Sequence, residues 1–234
     1  MEPQLFQIGT IPAALWGQSS ERVIIAVHGA QSSKTDIPFR LLTEANSGCQ
    51  VLSFDLPEHG DRKGGSTLCK PPVCVRELDA VLDYAENRWT ETGLFAVSMG
   101  AYFSLLACRD RKLSHVWFLS PVVDMERLTR DMMGRFQISE TRLKQERAIP
   151  LPLGQTLYWD DFCYIREHPI VRWPFPTDIL RGGRDTLCAV ETVTSFTERF
   201  SCRLRVMEEA EHWFHTPEEL EALGRWFQET ALVR

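Results

Sequence analysis

Residues 94–102 read Leu-Phe-Ala-Val-Ser-Met-Gly-Ala-Tyr. The first four residues are a short apolar run of the kind that forms a buried strand, and residues 102–108 carry the apolar face of a helix. A serine between such a strand and such a helix sits on a sharp turn, where bulky side chains two positions to either side would collide. Ala96 and Gly100 are small at those two positions. The turn lifts the Ser98 hydroxyl above the sheet edge and aims the Met99 amide at whatever that hydroxyl attacks. The pattern is a nucleophile elbow, here Ala-x-Ser-x-Gly. Small-x-Ser-x-Gly also arises by chance with the serine acting only as a helix cap, so the reading turns on partners elsewhere in the chain.

Outward from the elbow, strand and helix patterns alternate. Residues 5–8 and 11–16 form a leading hairpin across Gly9-Thr10. Residues 22–27, Arg-Val-Ile-Ile-Ala-Val, are β-branched and end at His28-Gly29, which predicts a central strand. Asp36 caps a helix over 37–45 with Pro38 in its first turn, and 50–54 is the next strand. A Gly-rich, charged loop follows over 55–68. Helical spacing of Val75, Leu78, Val81, Leu82 and Ala85 predicts a long helix over about 73–89. Further strands are expected at 115–119, 176–180 and 203–207, with a helix at 190–200. Thr216, Pro217 and Glu219 form a capping box that opens a last helix.

Such alternation predicts an α/β chain with a doubly wound, mostly parallel sheet. It breaks once, over 122–173, where no strand pattern is visible. Helices are expected there at 125–136 and 139–145, followed by Pro150, Pro152, Gly154 and the aromatics Tyr158, Trp159, Phe162 and Tyr164. The stretch reads as a small helical cap or lid inserted within one domain that spans 1–234.

The composition sets bounds on function. A length of 234 residues is ample for one core. The net charge of -6 is spread along the chain, with no basic cluster interleaved with aromatics, which argues against nucleic acid or an anionic membrane as partner. No apolar run is long enough to span a bilayer, and the first residues lack the pattern of a signal peptide. Seven cysteines are present, an odd number, with Cys69 and Cys74 the nearest pair. Cys49, Cys108 and Cys163 lie in apolar settings and read as small hydrophobes. Reduced thiols in a cytoplasm are the expectation.

A serine hydroxyl is a weak nucleophile at neutral pH. It needs a base within hydrogen-bond reach, and the base needs an orienting acid. Ligands bind α/β sheets at the carboxyl ends of strands, so the candidates are residues just past a strand. Asp185 follows the strand at 177–180 and His212 follows the strand at 204–207, giving the chain order Ser98, Asp185, His212. Asp185 after Gly-Gly also suits a plain turn. Asp124, past the strand at 115–119, is the second candidate acid, and His215 the rival base. His212 is preferred because it lies nearer its strand end. Two backbone donors must hold the oxyanion. They are expected to be the amides of Met99 and Ala30, with Gln31 behind the latter and His28 bracing the loop by hydrogen bonds. Asp55, Glu58, His59, Asp61 and Arg62 match no familiar ligand spacing and read as an internally hydrogen-bonded loop, so no metal is expected. The aromatics Trp159, Phe162 and Trp173, with Tyr164 and Phe175, either wall an acyl or aryl pocket or glue the cap to the core.

These pieces together, His28-Gly29, residues 55–60, 96–100 and 176–185, and Glu211-His212, resemble the α/β-hydrolase superfamily, most closely its single-domain serine esterases and lipases of the monoacylglycerol-lipase and serine-aminopeptidase type. The resemblance covers nearly the whole chain outside the cap. It implies a Ser98-Asp185-His212 triad, a small-molecule ester or acyl substrate, and no metal or organic cofactor. Two departures stand out: Ala96 replaces the usual first glycine of the elbow, and Glu58 stands where the family often has glycine. The same scaffold carries peptidases, thioesterases, acyltransferases and catalytically silent binding modules. A serine nucleophile argues against dehalogenase chemistry.

Overall fold

The computed structural model describes residues 2–152 and 154–231. A hairpin of β1 (Gln4–Ile8) and β2 (Ile11–Trp16) leads the chain. Strands and helices then alternate: β3 (Arg22–Val27), α1 (Ile37–Ala45), β4 (Gln50–Phe54), α2 (Pro71–Glu86), β5 (Glu91–Val97), α3 (Met99–Ala107) and β6 (Val116–Leu119). The segment after β6 holds α4 (Met125–Arg135), α5 (Glu140–Glu146), β7 (Ala148–Pro150), β8 (Thr156–Tyr158) and α6 (Trp159–Glu167). The chain returns through β9 (Thr177–Gly182), α7 (Val190–Phe200), β10 (Arg203–Met207) and α8 (Pro217–Glu229).

Eight strands form one sheet in the order β1-β2-β4-β3-β5-β6-β9-β10. β2 runs antiparallel to both neighbours, and every pair from β4 to β10 is parallel. Burial on both faces explains why β3 and β5 read as unbroken apolar runs. Along β3 the side chains alternate between two cores. Val23, Ile25 and Val27 join Leu78 and Leu82 of α2, Leu105 of α3 and Val193 of α7. Ile24 and Ala26 join Phe39 and Leu42 of α1 and Leu223, Trp226 and Phe227 of α8. Helices therefore cover both faces, and the parallel strands all deliver their carboxyl ends to one edge.

The segment between β6 and β9 departs from the sequence reading. It is not purely helical, because β7 and β8 form an antiparallel ribbon with Ile149 opposite Leu157. Each ribbon strand is three residues long with a single buried side chain, too short for an alternating pattern to declare itself. Met133, Ile138, Leu143, Ile149, Leu151, Leu157 and Phe162 make an apolar cluster of their own there. Among the described residues, no helix is long and apolar enough to cross a membrane.

Candidate active site

Ser98 sits between β5 and α3 with φ 51° and ψ -120°, a backbone conformation that costs an ordinary residue about 1–3 kcal/mol. The surroundings hold it there. Its amide donates to the Leu119 carbonyl (3.0 Å), and its carbonyl accepts from Ala101 (3.0 Å) and Val122 (3.1 Å). Gly100 lets α3 start hard against the end of β3. A Cβ on it would lie 2.5 Å from the His28 carbonyl oxygen and 2.8 Å from that of Val27. Ala96, fully buried, marks the other side of the turn. The two small residues of the elbow are thus set by packing.

Three side chains, far apart in sequence, meet at this turn. His212 Nε2 is 2.9 Å from Ser98 Oγ, and His212 Nδ1 is 2.7 Å from Asp185 Oδ2. The other carboxylate oxygen of Asp185 accepts from the amides of Leu187 (2.8 Å) and Cys188 (3.1 Å). Burial works against the charge on Asp185, but the bonds from His212, Cys188 and Leu187 outweigh it and hold the carboxyl below its ordinary value. An ionised carboxylate only accepts, so His212 Nδ1 carries the proton and Nε2 offers its lone pair to the Ser98 hydroxyl. Backbone contact brings the two loops this close. A Cβ on Gly182 would lie 2.2 Å from the Glu211 carbonyl oxygen, and the Arg184 amide donates to Ala210 (2.9 Å).

The loop after β3 runs beside the serine: a Cβ on Gly29 would lie 3.1 Å from Ser98 Cβ. Met99 opens α3, so its amide has no intrahelical partner. The Ala30 amide has no acceptor among the described residues. His28 is fully buried, accepts at Nε2 from the Leu56 amide (3.0 Å) and donates from Nδ1 to the Gly29 carbonyl (2.7 Å). Burial lowers its pKa to about 4, so it is neutral at pH 7. Asp55, also fully buried, holds the same loop from its far end. Its carboxylate accepts from the Lys34 amide (2.8 Å) and ammonium (2.7 Å), and that ammonium also reaches Asp61 (2.7 Å). Arg62 pairs with Glu77 of α2 at 2.5 and 2.9 Å. Glu58, where glycine was expected, has φ 65°, the region that favours glycine, and its carboxylate accepts from the Cys69 amide (2.7 Å).

The remaining candidates lie elsewhere. Asp124 caps α4 by accepting from the Arg127 amide (2.9 Å). His215 donates from Nδ1 to the Trp213 carbonyl (2.7 Å) and stacks on the Trp213 ring. The three pocket aromatics do not form one wall. Trp159 and Phe162 pack together at 6.0 Å in the cluster between β6 and β9. Trp173 lies between Phe118 and Phe175 and donates to Thr177 Oγ1 (2.8 Å). Phe162 and Trp173 are 1% and 2% exposed, so both serve as core side chains. A cavity of about 410 Å³ between α4, α6 and α7 is lined by Tyr102, Val123, Arg127, Ile165 and Phe196, among others, and does not include Ser98. Among the described residues, the one group of His, Cys, Asp or Glu atoms close enough to share a metal ion is Asp185, Cys188 and His212. Both nitrogens of His212 are already engaged, burial pushes the Cys188 thiol up to about 12, and both features work against ligation of a metal ion there.

The part that two residues play in steadying this site escaped the sequence reading. Glu219 completes the capping box of α8 with Thr216, as expected, but its carboxylate also accepts from the amides of His215 (2.9 Å) and Glu211 (3.4 Å). It thereby grips both sides of His212. Arg181, 2% exposed, donates to the carbonyls of Asp185 (3.3 Å) and Cys188 (3.1 Å) and fixes the acid's loop from beneath. The sequence pattern ends this strand at 180, one residue short of Arg181, whereas β9 runs on to Gly182, and no pattern in the sequence marks such a duty. The capping box was readable, its second use was not.

No protein-family model matches the sequence, and no curated protein does. Solved structures do match. Est1E from Butyrivibrio proteoclasticus, determined with ferulic acid bound, aligns at TM-score 0.75 and 17% identity over 97% of each chain. Alpha/beta hydrolase domain-containing protein 10 from mouse aligns at TM-score 0.77 and 14% identity over 98% of each chain. The esterase Pf2001 from Pyrococcus furiosus aligns at TM-score 0.67 and 21% identity, over 99% of this chain and 92% of that one. Identities this low speak for the path of the backbone alone. That path runs in common over nearly the full length of every chain compared, and the protein has the α/β-hydrolase fold.

Proposed function

We propose that the protein is a serine hydrolase that cleaves carboxylic esters through an acyl-Ser98 intermediate, with Asp185 and His212 completing a catalytic triad. The observation that carries this reading is the continuous relay from Ser98 Oγ to His212 (2.9 Å) and on to Asp185 (2.7 Å) on a strained strand-to-helix turn. His212 Nε2 takes the hydroxyl proton as Ser98 Oγ attacks the ester carbonyl. Asp185 keeps the imidazole in register and stabilises its cationic form. The amides of Met99 and Ala30 receive the tetrahedral oxyanion, each worth about 3–4 kcal/mol to such a transition state. His212 then gives the proton to the leaving alcohol, and water releases the acyl group by the same steps in reverse order.

Segment 122–173 acts as the cap over this centre in the same single domain. It leaves the core beside Ser98, where the Val122 amide donates to the serine carbonyl. It is tied back to the start of α2 by Lys70, whose ammonium meets Asp160 (2.7 Å) and lies over the Tyr158 ring (4.1 Å). An ester is favoured as substrate because Pf2001 is an esterase and Est1E has been determined with ferulic acid bound. The test is hydrolysis of a short p-nitrophenyl ester. Ser98→Ala is expected to lower kcat by roughly 10⁴-fold or more with an unchanged thermal unfolding curve. Turnover at the parent rate would remove Ser98 from the mechanism.

A further inference from the structure

The nearest cysteine pair in the sequence is not used by the site above. Cys69 and Cys74 bring their Sγ atoms to 3.6 Å, already in contact, whereas a disulfide needs about 2.0 Å. The two sulfurs are unequal. Cys69 is half-buried at the end of the exposed loop over 63–68, and Cys74 is fully buried in the first turns of α2. A small oxidant therefore meets Cys69 first, with the second thiol waiting behind it. The loop contains Gly64, Gly65 and Ser66, which leaves the backbone free to give the remaining distance.

We propose that Cys69 and Cys74 are a peroxide-oxidisable dithiol, a modification site separate from the Ser98 centre. The surroundings supply the reactivity. The Cys74 thiol donates to the Cys69 sulfur and the His59 ring lies beside it, and together these outweigh burial and hold Cys69 below the ordinary thiol value. The same contact and burial push Cys74 up, so it stays protonated as the donor. Glu58, whose carboxylate holds the Cys69 amide, and Asp161 of α6 are the nearby negative groups that oppose the thiolate. The Cys69 thiolate attacks one oxygen of hydrogen peroxide, the O–O bond breaks, and hydroxide leaves and is protonated to water. Cys69 is then a sulfenic acid. The Cys74 sulfur attacks it, the S–S bond forms, the S–O bond breaks, and the oxygen departs as water with the Cys74 proton. Two thiols and one peroxide become one disulfide and two waters.

The other five cysteines lack this arrangement. Cys49, Cys108 and Cys188 are buried with their thiols pushed up, and burial does the same to Cys202. Cys163 has no sulfur beside it among the described residues.

The experiment treats the reduced, intact protein with increasing hydrogen peroxide, alkylates remaining thiols with N-ethylmaleimide in denaturant, and follows residues 64–76 by mass spectrometry. That segment is expected to lose two hydrogens and accept no alkylating agent, at least roughly tenfold faster than any other cysteine is consumed. Cys74→Ser is expected to stop at a Cys69 sulfenic acid that dimedone captures, and Cys69→Ser to leave Cys74 alkylatable. Two alkylatable thiols in segment 64–76 of the unmutated protein, at peroxide levels that consume other cysteines, would overturn the proposal. So would dimedone capture in the unmutated protein equal to that in Cys74→Ser. These readouts do not involve ester turnover, so they stand apart from the role proposed for Ser98.

Discussion

Lowering the pH should destabilise this protein through His28, a residue outside the proposed triad. Its pKa is 6.5 in the unfolded chain and about 4 in the folded one, because the ring is fully buried between the Gly29 carbonyl and the Leu56 amide. Between those values the unfolded chain holds a proton that the folded chain refuses. Stability is therefore complete above pH 6.5, falls as the pH drops toward 4, and loses little more from this group below that. The full displacement from 6.5 to about 4, at about 1.4 kcal/mol per pH unit, amounts to about 3–4 kcal/mol, of which about 3 kcal/mol is lost by pH 4. That is a large part of the 5–15 kcal/mol that typically hold a domain together. The comparison to make is with His28→Gln, whose amide can accept from Leu56 and donate to Gly29 but does not titrate. Urea unfolding of both proteins, followed by tryptophan fluorescence between about pH 7 and about pH 4, separates His28 from everything else. Asp185, Asp178 and Glu219, whose carboxyls are held below their ordinary values, lose their contributions at lower pH and do so equally in both proteins. The unmutated protein should lose about 3 kcal/mol more than His28→Gln across the window. Parallel decline of the two would show that His28 titrates normally and that the buried brace is misread.

Asp185→Asn should lower kcat on a p-nitrophenyl ester by about 10³–10⁴-fold with KM little changed, since an amide no longer selects the productive tautomer of His212; parent kinetics would contradict that role. Gly100→Ala puts a methyl 2.5 Å from the His28 carbonyl oxygen and should cost about 1–3 kcal/mol in urea unfolding. Gly134→Ala in α4, where a Cβ meets nothing within 4 Å, should instead stabilise by up to about 1 kcal/mol, and equal effects at the two sites would contradict the packing argument. Glu219→Ala frees the amides on both sides of His212 and should cost about 1–2 kcal/mol while lowering kcat more than it raises KM. An unchanged kcat would reduce Glu219 to a helix cap.

Local chemistry set the limit of what was legible in the sequence. β3, α1, β4, α7 and β10 fall on the residues that pattern and caps selected, because apolar alternation and N-cap side chains act over a few residues. Pro71 and Pro72 open α2, as expected of residues tolerated in a first turn where no amide is needed, and the helix stops at Glu86, short of the end near 89 that its apolar spacing suggested. The elbow was legible because Ala96 and Gly100 are dictated by close packing. Asp185 and His212 were legible as an acid and a base just past the carboxyl ends of two strands, and the structure brings both to Ser98. The ribbon of β7 and β8 was hidden because three residues per strand cannot show a period. The separation of Trp159 and Phe162 from Trp173 was hidden because aromatic residues carry no record of which cluster they enter. The grip of Glu219 and Arg181 on the two loops depends on backbone amides and carbonyls, and no side-chain pattern encodes those.

The most direct measurement is covalent capture of the nucleophile. An alkyl fluorophosphonate reacts with a serine whose proton a neighbouring base can take, and spares serines without one. Peptide mapping of the labelled protein should place a single adduct on Ser98, absent in Ser98→Ala and strongly reduced in His212→Ala. Failure of Ser98 to label, or labelling that persists at the parent rate without His212, would contradict the account.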